Sequence, residues 1–328
     1  MLRSLNAAHQ SLRLRAPFRI SRGVKTAAEV VVVEAVQDGL VGRGEAVPYA
    51  RYGETVDSVL AEIASVAEGF ERGLSHEQLA GSLPAGAARN ALDCALWDLK
   101  ARLAGSSVAA LTGRPPPEEI VTAVTISLDE PQAMGQAAAA ASAAPLIKVK
   151  LSAEAPAERL RAVAAAAPNA ALIVDPNEGW TFQILDGLQP LLAELNVVLI
   201  EQPLPADEDG ALEGYRPARP ICADESAHTS ADLEALRGRY QAVNIKLDKT
   251  GGLTEALAML DAARGLGFKV MAGCMVCSSL GIAPALHIAG ACDFADLDGP
   301  WWLAEDRAGG VTVNEGRLRR PARGFWGD

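Results

Sequence analysis

The sequence predicts an α/β fold, a (β/α)8-type barrel behind an N-terminal α+β domain. Three observations carry this. Short aliphatic runs, LIKVK, ALIVD, VVLIE, ICAD, AVNIK and FAD, recur about 25 residues apart, one strand-plus-helix unit, with two units before the last. Each run is apolar at successive positions, as parallel strands covered on both faces are. Each also ends on a charged residue: Lys150, Asp175, Glu201, Asp224, Lys246 and Asp296. In a (β/α)8 barrel the C-terminal strand ends meet at one face, so these residues are expected to share one pocket.

Residues 1–117 read as the α+β domain. The runs SLRLR, EVVVVEAV and LVGRGEAVP, joined by turn signals such as QDG, predict an antiparallel meander. Two helical stretches follow, GETVDSVLAEIASVAEGF and AGAARNALDCALWDLKARLAG, the second stopping at Gly105. Pro115 to Pro117 mark a stiff boundary. The barrel spans 118–300. Its first strand is VTAVTIS from Val121, followed by an Ala-rich helix from Pro131, and further strands lie near 146–151, 171–176, 197–202, 220–225, 242–247, 268–273 and 294–298. Residues 301–328 form a tail whose hairpin, VTVNEGRLRRP, is expected to return to the first domain, with Trp301 and Trp302 wedged between barrel and tail.

Composition narrows the function. With 49% hydrophobic and 22% charged residues the chain has a globular composition, and 328 residues suit a barrel of roughly 200 to 250 plus an added domain. The net charge of −11 provides no basic stripe, so nucleic acid and anionic membrane surfaces are not expected partners. No apolar run reaches the length of a membrane span. The N-terminus MLRSLNAAHQSLRLR lacks the apolar core of a secretory signal, and five cysteines, an odd number, suit a reducing compartment. The expectation is a cytoplasmic protein handling a small molecule, with oligomeric state left open and a homo-oligomer among the options.

Asp175, Glu201 and Asp224 end three consecutive strands. Three converging carboxylates repel without a cation, and hard oxygen donors with no thiolate or imidazole nearby favour Mg2+ over zinc. Alone, Asp175 before Pro176 could be a turn residue, and Glu201 could merely end a strand. Lys150 and Lys246 flank the carboxylates on the strands before and after. A lone lysine at a barrel mouth ordinarily extends to solvent; one on each side of a metal site does not fit that reading. Lys148, two residues from Lys150, shares its face, and repulsion between them together with Mg2+ would lower Lys150 toward the range of a base. Lys249 reads as a loop charge. Asp296 and Asp298 are likewise two apart, although Asp-Gly-Pro is also a turn signal. The Cys274–Cys277 pair has no second pair to complete a zinc site and reads as packing. His228 and His287 read as structural or surface residues. Gly251 and Gly252 open a helix, where backbone N–H groups could meet an anion, or where entry geometry alone requires glycine.

The order Lys-x-Lys, Asp, Glu, Asp, Lys on successive strands behind an α+β domain resembles the muconate-lactonizing subgroup of the enolase superfamily, over essentially the whole chain. The resemblance implies a modified TIM barrel with an N-terminal capping domain. It also implies one Mg2+ per subunit, with Mn2+ as a substitute, held by Asp175, Glu201 and Asp224 and meeting a substrate carboxylate. Lys150 and Lys246 would then stand on opposite faces of the adjacent carbon and move its proton by two-base 1,1-transfer, while Lys148 helps hold the carboxylate. The Asp-x-Asp of DLDGP is similar to that of dipeptide epimerases, where Asp296 and Asp298 would bind a free α-ammonium group. The stretches ISRG, RYGE and DLDGP look most like the L-Ala-D/L-Glu type of murein peptide recycling, with Arg22, or else Arg19, pairing with a glutamate side chain. Two alternatives stand beside this isomerase reading. One is a muconate cycloisomerase or o-succinylbenzoate synthase, which Asp296 and Asp298 weigh against. The other is a non-catalytic binding protein, which the retention of crowded like charges weighs against.

Overall fold

The computed structural model of the protein describes residues 3–328. Three long antiparallel strands open the chain: β1 (Arg3–Ile20), β2 (Gly23–Gln37) and β3 (Leu40–Ala46), in that order in one sheet. The β2–β3 turn is Asp38-Gly39, both at positive φ (52° and 81°), as a tight hairpin requires. The unbroken EVVVV run is explained by burial on both faces of β2. Val31, Val33 and Ala35 belong to a core shared with the capping helices, while Val30 and Val32 join the core of the barrel.

The longest capping helix, Ala87–Leu103, lies directly on β3. Two glycines allow the approach: a Cβ on Gly42 would sit 2.2 Å from the Ala95 carbonyl oxygen, and one on Gly44 2.0 Å from that of Ala91. The stretch expected as one helix over 53–70 divides at Val66 into Val56–Ser65 and Ala67–Glu71. A further helix, His76–Ser82, lies outside both expected stretches. Its signal is local: Ser75 and Gln78 form a reciprocal capping box.

The expected first barrel strand also divides. β4 (Glu119–Val121) is not in the barrel; β5 (Val124–Ile126) is. The reason is distant: β4 pairs with the C-terminal hairpin of β13 (Thr312–Asn314) and β14 (Arg317–Arg319), and Thr122 N donates to Gly316 O. The hairpin therefore packs at the start of the first barrel strand, and the tail reaches the capping domain on either side of it, through Ala304 N to Arg13 O and Arg307 Nη2 to Glu45 Oε2 before it and through Trp326 Nε1 to Arg43 O and Gly327 N to Asp98 Oδ1 after it. Trp302 sets its ring edge against Phe18 of β1, and the Arg15 guanidinium stacks on Trp301, so both tryptophans brace β1.

Eight parallel strands follow in consecutive order: β5, β6 (Leu146–Lys150), β7 (Ala171–Asp175), β8 (Val197–Glu201), β9 (Ile221–Ala223), β10 (Ala242–Lys246), β11 (Lys269–Gly273) and β12 (Phe294–Asp296). Ala123 N donates to Ala295 O across the seam between first and last strands, so the barrel is nearly closed. Its floor is an apolar layer of Leu146, Ile173, Leu199, Cys222, Ala242 and Met271. Because strand side chains alternate, residues two and four beyond that layer also point inward, which places Lys148, Lys150, Asp175, Glu201, Asp224 and Lys246 in the mouth. Among the described residues no helix is long and apolar enough to cross a membrane.

The glycine contact on β3 is testable. Gly44→Ala would press a methyl into backbone and should cost about 1–3 kcal/mol, as overpacking does. It would be read as a lower urea midpoint at unchanged slope; an unchanged midpoint would show that the helix is free to move away.

Candidate active site

The barrel mouth and the capping loops enclose a cavity of about 470 Å³, lined by Lys148, Lys150, Asp224, Lys246, Asp296 and Asp298 from the barrel and by Phe18, Arg22, Lys25, Tyr49, Arg51 and Tyr52 from the capping domain. Asp175 and Glu201 lie directly beneath, fully buried. All nine residues singled out from the sequence are thus at or just below one cavity.

Their pairing differs from the expectation. Lys148 Nζ stands among three carboxylates, 3.0 Å from Asp175, 2.6 Å from Glu201 and 2.7 Å from Asp296. Lys150 Nζ lies 2.6 Å from Asp175, and Lys246 Nζ 2.6 Å from Asp224. Among the described residues no three carboxylates close on a common point as a metal cage would. The physical reason is that buried anions are matched by the nearest ammonium groups, and each carboxylate here is drawn onto a lysine.

Lys249 is the largest departure. It is not a loop charge but a buried residue in the single helical turn Leu247–Thr250, its Nζ donating to Asp224 Oδ1 at 2.7 Å and to Asn244 O at 2.9 Å. Asn244, inward on β10, donates to Glu201 Oε1 at 2.9 Å. It has room because Gly273 on the next strand lacks a Cβ, which would fall 2.3 Å from Asn244 Oδ1.

The electrostatics sort the carboxylates. Burial works to raise Asp175, but Lys150 and Lys148 outweigh it and hold the group below the ordinary range; Lys246 and Lys249 do the same for Asp224 against its burial. Glu201 goes the other way: burial, then the charge of Asp175, pushes it up to about 8. Asp298 is raised to about 6 by burial and by Asp296, and its Oδ2 accepts from Thr125 N at 2.8 Å.

Whether a hard cation suits this donor set can be asked of the unsatisfied atoms. Three buried acceptor oxygens around the mouth have neither a hydrogen-bond nor an ion-pair partner: Asn177 Oδ1, Glu225 Oε2 and Asn244 Oδ1. Glu201 Oε2 has the Lys148 ammonium at 2.6 Å beside it and no further donor. Orphaned oxygens beside a carboxyl lifted by burial accommodate added positive charge, and oxygen donors select a hard ion. The donor set fits.

Glu225 and Glu178 are functional-site residues that the sequence reading missed. Arg22 does not point a free guanidinium into the cavity. It donates to Glu225 Oε1 (2.6 Å), Glu178 Oε2 (3.0 Å), Asn177 O (2.8 Å) and Tyr49 Oη (2.9 Å). Arg51 binds both oxygens of Glu178 at 2.8 Å. Arg19, the second candidate, pairs with Asp129 at the exposed rim instead. Glu225 directly follows Asp224, and Glu178 lies in the DPNEGW run after β7; both were visible as charges beside site residues, but their arginine partners come from the other domain. His228 is half-buried, its Nε2 against Glu225 O, and His287 is buried with Nδ1 against Arg114 O, so both are structural. Cys274 and Cys277 are free thiols. Gly251 and Gly252 adopt positive φ and pack against Arg89 and Asp93 of the long capping helix, which accounts for both without an anion.

The buried position of Lys249 makes a stability prediction. Lys249→Met removes the donor to Asn244 O, Asp224 O and Asp224 Oδ1 and should cost about 3–5 kcal/mol, whereas Arg72→Ala, which removes the exposed Arg72–Glu68 pair, should cost at most about 1 kcal/mol. Equal costs in urea denaturation would contradict the assignment.

Comparison with known proteins agrees with this geometry. Residues 3–113 match the family described as mandelate racemase / muconate lactonizing enzyme, N-terminal domain, and residues 132–325 match the enolase C-terminal domain-like family. The chain is 49% identical over 319 residues to the L-Ala-D/L-Glu epimerase of Escherichia coli (strain K12), covering 97% of this chain and 99% of that one. Among solved structures, an enolase family member from Agrobacterium tumefaciens with homology to dipeptide epimerases, holding sodium and L-Ala-L-Glu, superposes with a TM-score of 0.96 at 47% identity, over 99% of this chain and 100% of that one. A dipeptide epimerase from Enterococcus faecalis V583, complexed with Mg and L-Leu-L-Tyr, gives a TM-score of 0.90 at 28% identity, over 98% of each. The chain therefore belongs to the mandelate racemase / muconate lactonizing enzyme family of the enolase superfamily.

Proposed function

We propose that this protein is a Mg2+-dependent dipeptide epimerase acting on L-Ala-D/L-Glu, inverting the α-carbon next to the C-terminal carboxylate. The observation that carries the reading is the placement of Lys150 and Lys246. They end β6 and β10, four strands apart in a ring of eight, so they face each other across the mouth.

A lysine amine on one wall takes the α-proton while the ammonium on the opposite wall delivers one to the other face, which inverts the centre; in the reverse direction the roles exchange. Asp296 and Asp298 take the free ammonium of the first residue, which fixes the dipeptide's direction. Lys148, already among carboxylates at the cavity floor, steadies the substrate carboxylate. Asp175, Glu201 and Asp224 are the residues that would hold Mg2+. When bound, the ion supplies positive charge that offsets the charge developing on the substrate carboxylate as the proton leaves. The capping loops exclude water from the amines. The relatives' dipeptide ligands support the substrate class, and the enclosing cavity suits a molecule of that size. The setting we assign is the recycling of murein peptides in the cytoplasm, in keeping with an L-Ala-D/L-Glu substrate.

Purified protein with Mg2+ and L-Ala-D-Glu in D2O should lose the Glu Cα proton signal and accumulate the second diastereomer; absence of both in proton NMR would contradict the reading. Mg2+ alone should raise Tm through binding to the folded state, and Asp224→Asn should blunt that rise. An equal rise in the variant would place the ion elsewhere.

A further inference from the structure

Gln202 follows Glu201 at the end of β8, and no step described above uses it. It is fully buried and stands at a φ of +30°, a conformation that a residue other than glycine keeps only where its contacts over-determine it. Here every polar atom of the side chain is taken. Oε1 accepts from Asp224 N at 2.9 Å and from Ser226 N at 3.1 Å, while Nε2 donates to Tyr240 Oη at 2.9 Å, Ser226 Oγ at 2.9 Å and Leu204 O at 3.0 Å. One amide thus reaches from β8 to the turn after β9 and holds the backbone of Asp224, whose carboxylate faces Lys246.

The hold depends on which way the amide points, because only its oxygen can receive the two backbone N–H groups. The neighbours on the far side fix that direction. Asp209, buried in the single helical turn Asp209–Leu212 and paired with Arg239, accepts through Oδ2 from Tyr240 Oη and from Ser226 Oγ, each at 2.7 Å. With both hydroxyl protons drawn to this carboxylate, the hydroxyl oxygens are left as acceptors for Gln202 Nε2. A buried chain of hydrogen bonds running in one sense reinforces itself.

We propose that Gln202 is a positioning residue for Asp224, and that Asp209 sets the direction of its amide through the hydroxyls of Tyr240 and Ser226. The inference rests on the Mg2+ reading above and extends it outward, from the three carboxylates assigned to the ion to a polar chain that ends at Asp209 and Arg239.

The test reads Mg2+ affinity by calorimetry without substrate, beside deuterium exchange with L-Ala-L-Glu. Arg239 would claim the oxygen of an asparagine in Asp209→Asn, so its amide would donate to the hydroxyls and turn their protons onto Gln202 Nε2. Gln202→Glu sets a carboxylate oxygen against hydroxyls whose protons point away. Each change alone should weaken Mg2+ binding by roughly 10- to 100-fold, the scale for removing a group that orients a metal ligand. Together they reverse the chain and restore its donors and acceptors, so the double variant should bind Mg2+ more tightly than the weaker single one, whereas damage to packing alone would accumulate. If either single variant fails to fold, Tyr240→Phe, which keeps the ring and removes one hydroxyl, should still weaken Mg2+ binding severalfold. Single variants that bind Mg2+ as the parent does, a double variant no tighter than the weaker single one, or unchanged binding in Tyr240→Phe overturns the assignment. The expected affinities in a protein without exchange sink the epimerase reading alone; exchange with unmoved affinities sinks this one alone; a parent protein that binds no Mg2+ ends the metal reading and this one with it.

Discussion

The structure depends on one electrostatic constraint: the floor of the cavity holds four carboxylates, Asp175, Glu201, Asp224 and Asp296, against four ammonium groups, Lys148, Lys150, Lys246 and Lys249. Charges buried this deeply are tolerable only in balance, because each unmatched ion carries a desolvation cost of several kcal/mol. Balance does not mean equivalence. Lys249 is spent on Asp224 and on backbone carbonyls and has no face to the cavity, while Lys150 and Lys246 line it from opposite walls. The same charge type thus serves as scaffold in one position and, in the proposed mechanism, as a reactive group in another, and burial geometry separates the roles.

The barrel alone would leave these groups open to water. Enclosure comes from the capping domain, and its connection to the barrel is again ionic. Arg22 and Arg51 reach across to Glu178 and Glu225, while Tyr52 packs on His228. Behind them, β2 is buried on both faces and Gly42 and Gly44 seat the long helix against β3, so the loops project from a firm base. Bidentate arginine pairs give such contacts direction as well as attraction.

The strand ends were legible in the sequence because the barrel obliges them to be: a period of one strand and one helix, with an inward residue at the end of each run, is a local pattern. Lys249 was not, because a single helical turn after β10 carries no periodic signal and a lysine three residues past a strand ordinarily reaches solvent. The division of VTAVTIS into β4 and β5 was hidden for another reason. The partner of β4 is a hairpin almost two hundred residues away, and pairing at that distance leaves no local trace. Arg22 shows the same limit. Its position beside the cavity followed from resemblance, but its commitment to Glu178 and Glu225 follows only from three-dimensional contacts.

The central claim is that two amines on opposite walls act on opposite faces of one carbon. The most direct measurement follows deuterium incorporation separately from L-Ala-L-Glu and L-Ala-D-Glu in Lys150→Met and Lys246→Met proteins that retain fold and Mg2+ binding. The account predicts complementary behaviour: each variant abolishes interconversion but still exchanges the one diastereomer whose proton faces the remaining lysine. Equal loss of exchange from both diastereomers in one variant, with the other unaffected, would contradict it.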